Sequence, residues 1–250
     1  LIAHTEGHLD LENIGLFVRE FQTGAVLNMG EIWAVSAVLR LGLVENIRRL
    51  AVRVMQRLEE LEAADEWARE LEESSRTSPK ALTDTLGRFV DEHPPLTPIF
   101  VARLFQQIRG YQAEFRKLLW LEQWIAEQAL TAEDAVTRSN QRLALTQVMM
   151  ANHLTSLRRI ARLDWDVFFE SLSVTDRALR ADPSDCYPRM TFATRDRYRH
   201  VVEDIARGAP VAEEEVARTA VELAAGRRAQ AGEGDRAAHV GYFLIAEGRA

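Results

Sequence analysis

From Asn28 to about Glu73 the chain carries one unbroken apolar rhythm and no proline. Ile32, Val35, Val38, Leu39, Ile47, Leu50, Val54, Leu58 and Leu61 recur mostly three and four residues apart, the period of a helix face. Roughly 45 residues at ~1.5 Å each would extend about 68 Å, longer than a compact domain of this size. A kink or break is therefore expected, at Gly42 or in the charged stretch after Leu61. Alternating Val, Ile, Thr and Tyr runs do not occur.

The remaining punctuation is helical as well. Asp10 can cap a helix to about Gln22, with Gly24 just past its end. Ser74 to Ser78 reads as a linker. Ser78-Pro79 and Thr97-Pro98 are cap-then-proline starts, and Pro94-Pro95 separates them. Gly110 interrupts before a helix carrying Phe115, Leu118, Leu119, Leu121, Trp124 and Ile125. Thr131 with Asp134 resembles a capping box and opens a helix reaching Arg162. Asp164 caps a short helix from Trp165 to Ser171. Ser173 caps another that ends before Asp182-Pro183. Thr194 opens Arg195 to Arg207, and a last helix spans about Ala212 to Gln230. The expected fold is all-α, an irregular array of about nine helices, one or two of them long, with little or no β structure. Residues 1–230 form one helical domain with a sub-boundary near 74–78, and 231–250 form a polar linker and terminal segment.

Charge narrows the function classes. The 250 residues carry a formal net charge of −7, unsuited to general phosphate-backbone binding, and no nucleic acid is expected. The single cysteine, Cys186, excludes an intrachain disulfide and a Cys-based zinc site. Ile32 to Leu39, the longest apolar run without a charge near the start, falls far short of the ~20 residues that span a bilayer. The chain opens in mid-pattern and is expected to be a piece of something longer.

Catalytic patterns are missing. His4 and His8 share an i, i+4 spacing but precede the first helix, where a solvated start is favoured over a metal. No HExxH, Gly-x-Gly-x-x-Gly, phosphate-loop lysine or Gly-x-Ser-x-Gly elbow occurs. The acidic run Glu59, Glu60, Glu62, Asp65 and Glu66 reads as a solvated face. Glu213-Glu214-Glu215 suits the first turn of a helix dipole.

Three polar sets stand out. The first is Glu31 and Trp33 with Arg40, Glu45, Asn46, Arg48 and Arg49, in which Glu45 and Arg49 form an i, i+4 pair. The second is Asn140, Gln141, Gln147, Asn152, Thr155 and Ser156 on one helix; so many amides suggest buried hydrogen bonds between helices. The third is Asp164, Trp165, Glu170 and Ser171 with Thr194-Arg195-Asp196-Arg197-Tyr198-Arg199-His200. Its arginines suit a phosphate or sugar, or equally pairing with Asp164, Glu170 or Asp196. In each set packing is favoured over ligand binding. No residue is assigned a catalytic, cofactor or metal role.

Several of these segments also resemble a known family. Glu31-Ile32-Trp33-Ala34-Val35, Leu43 to Leu50, Ile160 to Ser173, Met190 to His200 with Glu203 and Ala206, Glu215-Val216-Ala217, and His239 to Ile245 are similar, in order, to the N-terminal region of cyclic β-1,2-glucan synthetases. The family commonly has Asp where Thr191 stands, and the Asp182 to Pro188 loop differs from its form. The resemblance implies part of a large bacterial inner-membrane protein. Its transferase uses UDP-glucose, with a divalent metal, to build cyclic glucan. This part would precede the membrane helices on the cytoplasmic side. None of the family's catalytic motifs has a counterpart here, so no cofactor is expected in this segment.

Two functional readings follow. One is a non-catalytic scaffold or interaction domain whose partner is the rest of the same polypeptide, transferase and membrane domains included. The other is a carbohydrate-binding or regulatory module for β-1,2-glucan, using exposed rings among Trp33, Trp67, Trp120, Trp124 and Trp165. In that count Trp120 and Trp124, at helical spacing, are expected in the core. An independent carboxylate enzyme acting through Glu31, Glu45 or Asp196 is the least favoured.

Overall fold

The computed structural model describes residues 1–109, 119–128, 131–232 and 235–249. The expected interruption at Gly110 and the positions of Phe115 and Leu118 lie outside the described residues. Of the described residues 81% are helical and none is in a strand, so the fold is all-α. In chain order the helices are α1 (Leu11–Gln22), α2 (Met29–Thr77), α3 (Pro79–Glu92), α4 (Pro98–Arg109), α5 (Leu119–Gln128), α6 (Ala132–Arg162), α7 (Trp165–Leu172), α8 (Val174–Leu179), α9 (Phe192–Gly208), α10 (Glu213–Ala231) and α11 (Val240–Leu244). About nine were expected. The five residues of α11 are too few to show a period.

Side-chain caps set most of the starts. Asp10 accepts from the Asn13 N–H while Asn13 returns a bond to the Asp10 N–H, a complete capping box. Asn28 and Glu31 make the same reciprocal pair at α2. Ser78, Asp164 and Ser173 cap α3, α7 and α8. At two ends the structure departs from expectation. Residues 74–77 are helix, not linker: the Ser74 and Thr77 hydroxyls return to the carbonyls of Leu71 and Glu73, keeping the polar run helical. And α9 begins at Phe192, because Thr191, not Thr194, is its cap.

The chain divides into two compact units, one of residues Leu1–Leu43 and Thr155–Ala250, the other of Val44–Leu154. In the second unit Ala64, Ala68 and Leu71 of α2 meet Leu82 and Phe89 of α3, Phe100 and Leu104 of α4, and Leu121 and Ile125 of α5. Phe89 is fully buried and takes edge contacts from Trp67 and Trp124, at 5.0 and 6.1 Å between centroids. Trp120 was expected in the core with Trp124. It is half exposed, stacked on Trp124 from outside. The acidic run is not wholly solvated either. Asp65 accepts two bonds from Arg103 and one from Gln107, and Glu60 takes the Thr97 hydroxyl, so both tie α2 to α4.

The first unit holds two apolar clusters. Leu9, Ile14, Val18, Ile32, Leu43, Ile160, Phe168, Phe169 and Leu172 make one, from α1, α2, α6 and α7. The chain start is not loose: the buried Ser156 hydroxyl accepts from the Leu9 N–H and donates to the Gly7 carbonyl, each at 2.7 Å. The second cluster joins Leu179, Tyr187, Val202, Ala217, Ala220, Ala224, Val240 and Leu244. Small residues on α10 let α8, α9 and α11 lie close to it. Glu213 reaches beyond its own helix, its carboxylate accepting the Met29 N–H at 2.9 Å at the start of α2.

Candidate functional site

The third polar set converges on one buried cluster. Glu170 is in the last turn of α7, three residues before Ser173, whose hydroxyl caps α8. That cap places Asp176 at the third position of α8, fully buried. On α9, Arg195 and Arg199 are four residues apart and share a face.

The bonding is dense. Glu170 Oε1 accepts from Arg195 Nε at 2.8 Å and Arg199 Nη1 at 3.0 Å; Oε2 accepts from Arg195 Nη2 at 2.8 Å and Arg180 Nη2 at 2.9 Å. Asp176 Oδ1 accepts from Arg199 Nη1 and from the Tyr187 hydroxyl, each at 2.8 Å, and Oδ2 from Arg180 Nε at 2.6 Å. Asp196 accepts from Arg199 Nη2 at 3.1 Å. Arg195 Nη1 also donates to the Met190 carbonyl. Three guanidiniums thus face three carboxylates and the charge balances. Arg199, fully buried, lies between the rings of Phe169 and Phe192, 5.1 and 4.8 Å from their centroids. Trp33 stacks on Phe169 at 4.7 Å and meets Phe192 edge-on, so the aromatic member of the first polar set closes this sandwich.

The electrostatics follow from the geometry. Burial works against the Glu170 charge, but the bonds from Arg195 and Arg199 outweigh it and hold the carboxyl below its usual range. Burial, aided by the Asp176 charge, pushes the Tyr187 phenol up and keeps it a neutral donor. Each carboxylate oxygen of Glu170 and Asp176 accepts at least one bond from an arginine. The arrangement can lock α7, α8 and α9 together, and it offers no free acid or base.

The other sequence-selected residues are elsewhere. Asp164 does not pair with an arginine; its carboxylate caps α7 through the Asp166 and Val167 N–H groups. Trp165 donates its indole N–H to the Ile160 carbonyl and packs edge-on against Phe168. Glu31 is spent on the Asn28 cap. Glu45 receives both Arg48 and Arg49 on the surface, which lowers its pKa to about 2. Asn46 and Asn152 are half-buried. Arg197 is exposed, two residues off the Arg195–Arg199 face, and His200 bonds the Asp196 carbonyl at 2.8 Å on the outside of α9. Of the expected buried amides on α6, Asn140, Gln141 and Gln147 are exposed, as is Thr155.

Sequence reasoning missed Asp176, Arg180 and Tyr187, and a second cluster around Asp182. The Asp182 carboxylate accepts from the His239 ring Nδ1 at 2.8 Å, the Ser184 hydroxyl at 2.7 Å, and the N–H groups of Tyr187 and Val240. Burial works against its charge, yet the His239 and Ser184 bonds hold the carboxyl well below its usual range. His239 Nε2 faces the Tyr198 hydroxyl at 3.2 Å. Asp182, Cys186 and His239 have metal-ligand atoms within 4.8 Å of one another. The Asp182 oxygens are already committed to protein donors, which suits a turn lock better than a cation. Ser184 and Asp182 both meet the ring at Nδ1, so Ser184 has no base on the far nitrogen and the group is no nucleophilic triad. Asp-Pro-Ser-Asp is the turn signal that could have drawn attention to it.

Over 256 aligned residues the chain is 32% identical to cyclic beta-(1,2)-glucan synthase NdvB of Rhizobium meliloti (strain 1021), an alignment covering 99% of this chain and 9% of that protein. The chain thus spans under a tenth of the length of the curated relative it matches. The similarity runs along the whole chain and bears out the resemblance in the sequence. No family model matches the chain. No helix among the described residues is long and apolar enough to cross a membrane.

Proposed function

We propose that this chain is a non-catalytic helical scaffold of a cyclic β-1,2-glucan synthase-like glycosyltransferase, holding the transferase and membrane parts of the same polypeptide on the cytoplasmic face of a bacterial membrane. In this reading UDP-glucose and a divalent metal are handled by the transferase and not here. One observation carries the reading: the most distinctive polar residues, Glu170, Asp176, Arg195 and Arg199, are consumed by one another in the interior. A catalytic or sugar-binding set would leave polar atoms facing an opening.

The test has two arms. The isolated chain, incubated with UDP-glucose and Mg²⁺ or Mn²⁺, is expected to form no β-1,2-glucan and to show no binding of that glucan at millimolar concentration. Glucan synthesis or sugar binding by the chain alone would overturn the reading. In the whole synthase, Glu170→Gln with Arg199→Met should lower glucan output together with the thermal stability of this segment, whereas Arg197→Ala should change neither. Output unaffected by loss of this fold would refute a supporting role.

A further inference from the structure

We propose that a groove in the Val44–Leu154 unit, between α2, α4 and α6, binds a small phosphate-bearing anion. Two adjoining cavities of about 560 and 420 Å³ share Arg57, Ile99 and Ser139 in their walls, so they form one trough. That size suits a small molecule. Four guanidiniums line it: Arg103 is held by Asp65, and Arg53, Arg57 and Arg142 form a trio without a carboxylate partner.

The trio differs from the arginines of the lock. Arg180, Arg195 and Arg199 each bond carboxylates. Among the described residues Arg53, Arg57 and Arg142 form no ion pair, and Arg57 makes a single bond, to the Ser139 hydroxyl at 3.2 Å. Arg53 and Arg57 are one turn apart on α2, a like-charge pair that weakens the helix unless an anion sits between. Glu60 also borders the trough, its carboxylate bonded by the Thr97 hydroxyl, so three cations without an ion pair stand there against one anion. On a chain of net charge −7 that is a local reversal of sign. Guanidinium forks match phosphate oxygens bidentately. Ile99 and Leu143 give the trough an apolar wall, suited to the uncharged part of a phosphate ester. The shared chemistry fits a soluble phosphate compound or a lipid headgroup.

Calorimetry of the full chain at constant ionic strength tests this, using sodium pyrophosphate, dihexanoyl phosphatidylglycerol and zwitterionic dihexanoyl phosphatidylcholine. Arg53→Gln with Arg142→Gln removes two exposed charges that form no ion pair, and the thermal midpoint of the variant checks that it folds; Arg197→Gln is the control on α9. At least one anionic probe should bind, and the double variant should weaken it by about tenfold or more, while the control leaves it unchanged. Pyrophosphate binding identifies a soluble source; binding of phosphatidylglycerol alone identifies a headgroup. No binding of either anionic probe tighter than about 1 mM, equal binding of phosphatidylcholine, or no loss in the double variant each overturns the site. Failure here leaves the scaffold reading standing, since the two rest on different residues.

Discussion

Arg199 Nη1 donates to Asp176 Oδ1 at 2.8 Å, and neither side chain has any exposure to solvent. Two opposite charges this deep are each expensive to bury, and their pairing is tolerable because both Arg199 Nη atoms and all four carboxylate oxygens of Glu170 and Asp176 are engaged, which leaves Arg199 Nε as the one donor of that guanidinium without a partner. The pair fixes α9 to α8 at one register, as a sliding apolar contact would not.

Removing both partners should therefore cost less than the sum of removing each. Arg199→Met keeps an apolar stem between Phe169 and Phe192 but strands Asp176 with only Arg180 and Tyr187. A loss of about 3 kcal/mol is expected in denaturant unfolding. Asp176→Asn should cost a similar amount. The double variant should recover at least about 1 kcal/mol relative to the sum. Strict additivity would show that the two residues are not coupled.

Acid should find the same weak points. Glu170 and Asp182 have folded pKa values held below the unfolded ones. Such groups contribute stability that is fully present above the unfolded pKa, near 4, and is lost as pH falls through the folded value. Unfolding free energy is thus expected to drop steadily below about pH 4. Asp182→Asn should make that drop shallower, and an unchanged slope would remove Asp182 from the account.

How much of this was legible depends on what the sequence encodes locally. Caps at Asp10, Ser78, Asp164 and Ser173 are short-range hydrogen bonds between residues two or three apart, and they read directly. Glu170 and the arginines of α9 read as a charge set, but only helix phase separates Arg195 and Arg199, which point inward, from Arg197, which points out. Asp176 was hidden because a six-residue helix shows no period, and its partners beyond the end of its own helix, Tyr187 and Arg199, come from two other segments. Val38 and Leu58 of α2 fit the apolar rhythm yet are more than half exposed. Periodicity defines a face; it does not say that something covers it.

Glu213 carries the opposite sign. Burial, with Glu203 and Glu31 nearby, raises its pKa despite the bond from the Met29 N–H. A carboxyl with a raised folded pKa favours the folded state at low pH, and that contribution falls as pH rises through the folded value. Glu213→Gln keeps an acceptor for Met29 and removes the buried charge. Its stability at pH 7 should equal or exceed that of the parent chain. Glu213→Ala removes the acceptor and should cost about 1 kcal/mol. A Gln variant as unstable as the Ala variant would mean that the charge itself supports α2.

Thr191 tests whether the departure from the resembled family is neutral. Its hydroxyl accepts from the Thr194 N–H at 3.3 Å, a long bond, and shares a second contact with the Thr194 hydroxyl at 2.9 Å. Asp at a helix N-cap accepts the same N–H and adds a negative charge at the positive end of the α9 dipole. Thr191→Asp is therefore expected to keep the fold and raise the unfolding midpoint slightly, by the equivalent of about 0.5 kcal/mol. Thr191→Ala should lose about 1 kcal/mol, because no neighbouring side chain replaces the cap. Equal midpoints for the Asp and Ala variants would show that α9 is started by the Arg195 and Arg199 contacts and not by its cap. The order Asp, Thr, Ala would show that the cap sets the first turn, and with it the phase that turns both arginines inward.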